Sequence, residues 1–418
     1  MREARSVKDK LPAAFWRHFG ASTTSNLGDG LVAGAAPLLA LTLTDDARLL
    51  SAISVAAMLP WFVMSLPVGV FIDRHERRRI MATANAIRAG IFVLATTAII
   101  AEVMTIWLLF TVVLALAVCE VFYDMSAQAF LPAIVDDHLL EKANGRLYAA
   151  EVAANSFVGL PLGTWLFVLA AAAPFGAQAI SLVVAAFLIA SIKPKRAFVA
   201  VPTTENYAQS LRSGSTWLWR NPLLRMLAIM LGAANMCHMF AQSIFAKYVR
   251  DELGLGPRAF GLLLATAAIG SIIGGLIGAR LATWLGPSVA IVLSYTMFAA
   301  LEIVPAVLPR VWAVVLAGLL MAIFGTVWNV ITVSLRQRII PQELFGRVNS
   351  VYRFIGTGTS AFGAIIGGQI AFYFGLRATY LASALTLGVV LLIGAPRLLR
   401  HSKNYMEPER TPAPPSIT

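Results

Sequence analysis

The sequence predicts an all-α membrane protein of twelve transmembrane helices arranged as two pseudo-symmetric six-helix bundles, and three observations predict it. The 418 residues are 58% apolar with mean hydropathy +0.76, and only 13% are charged. Those charges are too few to cover a water-soluble protein of this size, so apolar side chains must face lipid. The apolar residues also gather into runs at 18–43, 50–72, 80–101, 104–131, 145–169, 173–192, 223–247, 259–281, 286–308, 311–334, 348–373 and 376–396. Each run can cross roughly 30 Å of hydrocarbon at about 1.5 Å per residue, the longer ones with tilt. Finally, with the N-terminus inside, 25 of the 33 Lys and Arg residues fall in inside segments and 6 in outside segments, leaving Arg88 and Arg353 within helices. This bias places both termini in the cytoplasm.

The first 17 residues are basic and polar, and the apolar stretch after them is too long for a signal peptide, so it reads as the first span. The net charge of +12 follows from the inside segments, and nucleic acid is not an expected partner. Cys119 and Cys237 each lie in an apolar run and offer neither a disulfide framework nor a metal site. The Gly-rich stretches hold no Gly-Lys-Ser/Thr phosphate loop, so ATP hydrolysis is unsupported and an enzyme is not expected. Gly270, Gly274 and Gly278 instead recur every four residues, a spacing for close helix contact.

The polar stretch from Lys193 divides the chain. The expected organisation is a first bundle at 1–192, a cytoplasmic central loop at 193–222, a second bundle at 223–396 and a cytoplasmic tail at 397–418. The halves repeat: Asn144-Gly145-Arg146-Leu147 before the fifth run corresponds to Phe345-Gly346-Arg347-Val348 before the eleventh, and Gly69 and Arg74 correspond to Gly275 and Arg280. Parallel six-helix repeats imply a substrate cavity between the bundles and alternating access by rocking.

Between the second and third runs stands Gly69-Val-Phe-Ile-Asp73-Arg74-His75-Glu76-Arg77-Arg78-Arg79. This segment resembles the cytoplasmic loop motif of the major facilitator superfamily, with Glu76 where a glycine is common, and the likeness extends over essentially the whole chain. Asn26-Leu27-Gly28-Asp29-Gly30 and the run from Phe130-Leu131-Pro132 to Gly159-Leu160-Pro161-Leu162-Gly163 resemble the drug and siderophore exporter branch, which includes the enterobactin exporter and macrolide efflux pumps. The last piece is similar to the fifth-helix motif of drug–proton antiporters, interrupted by Leu160. The resemblance implies a loop that latches the two halves, with Asp73, Arg74, Arg77 and Arg78 as gating residues. It also implies a secondary exporter of an amphipathic small molecule driven by a proton gradient, working as a monomer without cofactor.

Carboxylates deep in apolar runs are costly unless paired, protonated or facing water. Asp29 in the first span, Glu120 and Asp124 four residues apart in the fourth, and Glu151 in the fifth are accordingly the proton-coupling candidates. An Arg88–Asp124 ion pair is expected, and Asp29 and Glu120 are expected to line the cavity. Asp73 is expected near 345–349, while Glu102 and Glu302 sit near outer helix ends and need no role in transport. Trp61, Phe240, Gln242, Phe245, Trp328, Asn329 and Arg353 combine aromatic area with polar groups suited to a small amphipathic substrate, and are the cavity candidates. Lipids are the other expected partners. An importer or uniporter of a small organic solute, and a non-transporting membrane receptor or assembly partner, are the rival readings.

Overall fold

A computed structural model describes residues 10–136, 139–193 and 207–406. In the first half, α1 (Ala13–Leu43), α2 (Ala47–Arg74), α3 (Arg77–Ile100) and α4 (Ile106–Ile134) are long and nearly unbroken. They are followed by α5 (Leu140–Glu151), a π-helical stretch (Val152–Gly159), α6 (Leu160–Leu169) and α7 (Ala173–Ala190). A short helix α8 (Tyr207–Arg220) precedes the second half. That half comprises α9 (Pro222–Gln242), α10 (Phe245–Asp251), α11 (Pro257–Leu285), α12 (Pro287–Leu301), α13 (Ile303–Val307), α14 (Val311–Ile339), α15 (Gln342–Phe374) and α16 (Leu376–Met406).

Among the described residues, eleven helices or helical stretches are long and apolar enough to cross a membrane. To these α15 adds a helix of 33 residues. The segment expected as a central loop contains α8, and α16 continues to Met406, into the stretch expected as a tail.

Local chemistry sets the helix ends. Prolines begin α6, α7, α9, α11 and α12, where a missing N–H costs nothing. Asp46, Thr105 and Asn221 cap α2, α4 and α9 by accepting main-chain N–H bonds. Gly286 (φ +77°) and Gly375 (φ +88°) each join two long helices through a single residue, a left-handed conformation that a side chain resists.

Helix pairing follows the small residues. A Cβ on Gly163 would meet the Leu31 carbonyl oxygen at 2.1 Å, so α6 lies against the backbone of α1. In the second half a Cβ on Gly274 would meet the Ile323 carbonyl oxygen at 2.4 Å, which sets α11 against α14. The π-helical stretch packs on α1 beside Gly30, and Pro161 opens the α-helix that resumes after it. The segment similar to the antiporter motif is therefore a change of helix type at a close crossing.

Candidate functional site

Three places concentrate the chemistry: an ion network in the first half, a cavity in the second, and a set of contacts between the halves at one face.

Asp29 lies 16 residues into α1, roughly 24 Å along it at about 1.5 Å per residue. Its Oδ1 accepts from Arg88 Nη2 of α3 and from Gln178 Nε2 of α7, both at 2.6 Å, while Ser25 donates to Oδ2 at 3.4 Å. Arg88 is 3% exposed and Gln178 is fully buried. Gly28 makes the arrangement sterically feasible, because a Cβ there would stand 1.5 Å from Gln178 Oε1. The ion pair thus joins Arg88 to Asp29, a correction to the expected Arg88–Asp124 pair. Glu120 and Asp124 remain within electrostatic reach of Arg88, and Glu151 within reach of Asp124. Counting positions along a helix cannot tell which neighbouring helix an arginine will face, and Gln178, inside an apolar run, gave no charge signal.

The second half holds a cavity of about 890 Å³ walled mainly by α9, α11, α12, α14 and α15, with residues from α10, α13 and α16. Gln242, Phe245, Trp328 and Asn329 line it. Phe240 does not, since it is 3% exposed and its backbone packs against Gly367 of α15. Trp61 also lies elsewhere, against Val68, Ile72 and Val121. Asp29 and Glu120 are not among the lining residues, because this cavity is walled from the second half. Glu302, at a helix end as expected, also lines it, at the break between α12 and α13. His238 also faces this space.

The basic turn between α2 and α3 is tied to its own half. Arg77 donates to the Ala129 carbonyl of α4 at 3.1 Å, and Arg78 to the Ile192 carbonyl just beyond α7 at 2.9 Å. Glu76 has an extended backbone (φ −66°) and pairs with Arg78 and Arg79, so this position needs no glycine. Arg74 is exposed at the end of α2. The side chains of Asp73 and Arg353 lie outside the described residues.

Several contacts join the halves at the face opposite this basic turn. Asp45 pairs with Arg250 at 2.5 Å and approaches Lys247 at 3.8 Å, and the Arg48 guanidinium sits 3.7 Å over the Phe372 ring. The hydrogen bond from Arg250, then the Arg250 and Lys247 charges, hold the Asp45 carboxyl below its ordinary value. A Cβ on Gly368 of α15 would meet Ser51 Oγ of α2 at 1.9 Å, and one on Gly261 of α11 would meet Thr164 Oγ1 of α6 at 2.2 Å. Nearer mid-depth, Phe62 stacks on Phe354 with ring centroids 4.6 Å apart. Asp45 lies in a loop and Arg48, Lys247 and Arg250 at the ends of helices, where no periodicity marks their pairing in the sequence.

A family model described as transmembrane secretion effector matches residues 11–417. The chain belongs to this family of the major facilitator superfamily. It is therefore a transport protein of the membrane, with a non-enzymatic role. The multidrug efflux pump Tap of Mycolicibacterium fortuitum is 27% identical over 407 residues, covering 90% of this chain and 94% of that protein. Macrolide efflux protein A of Streptococcus pyogenes is 23% identical, covering 85% and 88%. The structure is similar to that of a bacterial homologue of the iron transporter ferroportin. The TM-score is 0.69 against its inward-facing state (19% identity, covering 92% of this chain and 99% of that one) and 0.59 against its outward-facing state (16% identity, covering 94% and 100%). Among the described residues, no group of three or more His, Cys, Asp or Glu could hold a metal ion.

Proposed function

We propose that the protein is a secondary exporter of an amphipathic small molecule of drug- or siderophore-like character, driven by proton antiport across a bacterial inner membrane. Twelve spans in two six-helix halves carry it, with α15 counted beside the eleven apolar stretches, and the basic faces and both termini lie in the cytoplasm. The halves are 1–192 and 223–396, joined by 193–222 and followed by the tail 397–418. The observation that carries this reading is a cavity of about 890 Å³ among lipid-spanning helices whose external face is held shut by Asp45 with Arg250 and Lys247. Such a molecule is closed outside and positioned to load from the cytoplasm.

Charge counting supports coupling in the first half. Asp29, Glu120 and Asp124 share the buried guanidinium of Arg88, which can neutralise one carboxylate, and Glu151 lies within reach of Asp124. Whichever carboxylate lacks that charge is costly as a bare anion and suited to carrying a proton, Asp29 included when Arg88 turns to Glu120 or Asp124. Protonation from outside would loosen Asp29 from Arg88 and Gln178, and release of the proton inside would restore the network. Coupling requires that proton and substrate favour opposite states, since equal affinity in both moves nothing. Asp73, Arg74, Arg77 and Arg78 act in this reading as the cytoplasmic gate that engages when the outer face opens. Gln242, Phe245, Trp328, Asn329 and Arg353 are the cargo contacts, and the monomer is the working unit.

The test uses proteoliposomes with an imposed pH gradient and a panel of macrolide, siderophore and dye substrates. Substrate-dependent proton flux that Asp29→Asn reduces at least about tenfold, without loss of insertion, is the expected result. Gradient-independent exchange would instead make the protein a uniporter, and unimpaired efflux by Asp29→Asn would remove it as the proton carrier.

A further inference from the structure

The second half contains a carboxylate that the proton cycle does not use. Glu302 stands at the break between α12 and α13, is 1% exposed, and leaves Oε2 without a hydrogen-bond partner. It nonetheless faces the cavity of about 890 Å³. Trp328 Nε1 and the Tyr380 hydroxyl, both on buried residues, line the same space and also lack partners. Among the described residues, no Lys, Arg or His forms an ion pair with Glu302. Arg336, the arginine that lines the cavity, lies near the opposite membrane face, three residues before the end of α14. It donates to Asn349 Oδ1 at 2.7 Å and sits 4.0 Å over the Tyr352 ring.

An anion inside a lipid-embedded, largely apolar cavity is costly without a counter-charge. The rings around it offer a second kind of attraction: Tyr295 and Trp328 have centroids 5.3 Å apart, and Phe298 lines the same cavity. Aromatic faces attract cations, most strongly when water is excluded. A volume of this size accommodates a molecule of several fused or clustered rings.

We propose that this cavity is a binding site for a lipophilic organic cation, with Glu302 as its counter-charge and Tyr295, Phe298 and Trp328 as its aromatic wall. The proposal rests on the export reading for the fate of the ligand and names the class of that ligand. Two consequences follow from the chemistry. A bulky cation without hydrogen-bond donors should bind, because the site supplies charge and ring faces. A molecule of equal shape and opposite charge should be rejected, because Glu302 would face a second anion.

Tetraphenylphosphonium and tetraphenylborate are such a pair. Equilibrium dialysis with the full-length purified protein should show the phosphonium binding at least about tenfold tighter than the borate. Glu302→Gln, with its thermal midpoint checked against the parent, should weaken phosphonium binding by about tenfold and strengthen borate binding, so that the preference for the cation largely disappears. Equal affinity for the two ions in the unaltered protein overturns the proposal, as does undiminished phosphonium binding by Glu302→Gln. The comparison in the unaltered protein decides even if the variant does not fold. Export fails separately: charge-selective binding with no gradient-driven flux of the phosphonium would refute antiport of this cation while leaving the site intact.

Discussion

The two halves treat a carboxylate in the membrane in opposite ways. In the first half Asp29 is saturated, with a guanidinium and an amide at 2.6 Å on the same oxygen and further acids grouped around Arg88. In the second half Glu302 is left with an unpartnered oxygen at the wall of a cavity. A shared architecture can thus hold one acid for internal exchange and present another to a ligand. The difference originates in what each packs against: Gly28 lets Gln178 close over Asp29, whereas the cavity lies open beside Glu302.

The sharpest way to break this contrast is to remove the guanidinium. Arg88→Met should cost about 2–4 kcal/mol, because it leaves the half-buried carboxylates of Asp29, Glu120 and Asp124 without a counter-charge. Glu302→Gln, which removes an unpaired charge, should be neutral or stabilising. Thermal unfolding in detergent compares the two directly, and a smaller loss for Arg88→Met than for Glu302→Gln would reverse the assignment of roles.

A second pair of substitutions asks whether the scaffold is equally tight in both halves. Gly163→Ala places a methyl 2.1 Å from the Leu31 carbonyl oxygen, and Gly274→Ala places one 2.4 Å from the Ile323 carbonyl oxygen. Both contacts are with backbone, so helices must separate, and each change should cost about 1–3 kcal/mol. Gly318→Ala, which meets nothing within 4 Å, is the control and should change the midpoint little. If Gly274→Ala proves as mild as the control, the second half is looser than its backbone contacts imply.

The fold was legible because lipid imposes one strong rule on composition: apolar runs of span length must be helices. Each expected run is helical, although 145–169, 223–247 and 286–308 are each divided between successive helical elements, and Gly270 and Gly274 make the close contact with α14 that their spacing implied. Less was legible of the site. Asp29 stood out as a charge in an apolar run, but its partners come from α3 and α7, far apart in sequence, and a pairing decided by helix rotation leaves no mark in residue counts. Glu302 lies at a helix end as its distance along the chain implied, but that it also faces a cavity depends on helix rotation and left no mark in the sequence. The π-helical stretch was equally hidden, since its composition is that of an ordinary apolar helix.

The smallest expected effect concerns the contact that closes one face over both halves. Asp45 is mostly exposed, so its pairing with Arg250 and Lys247 biases the conformational equilibrium and adds little to overall stability. Its carboxyl is held below the ordinary value in this closed arrangement, chiefly by the Arg250 hydrogen bond. Closure is therefore favoured above the ordinary carboxylate range, near pH 4, and the advantage is lost as the pH falls through the depressed value. Asp45→Asn should remove that dependence and open the face modestly at neutral pH, by no more than about fivefold in population. Spin labels at exposed Arg258 and at Leu43 would report the opening as a longer distance. An unchanged distance distribution in Asp45→Asn, with no acid dependence in either protein, would move the closing role to the packed glycines Gly261 and Gly368, where no proton could release it.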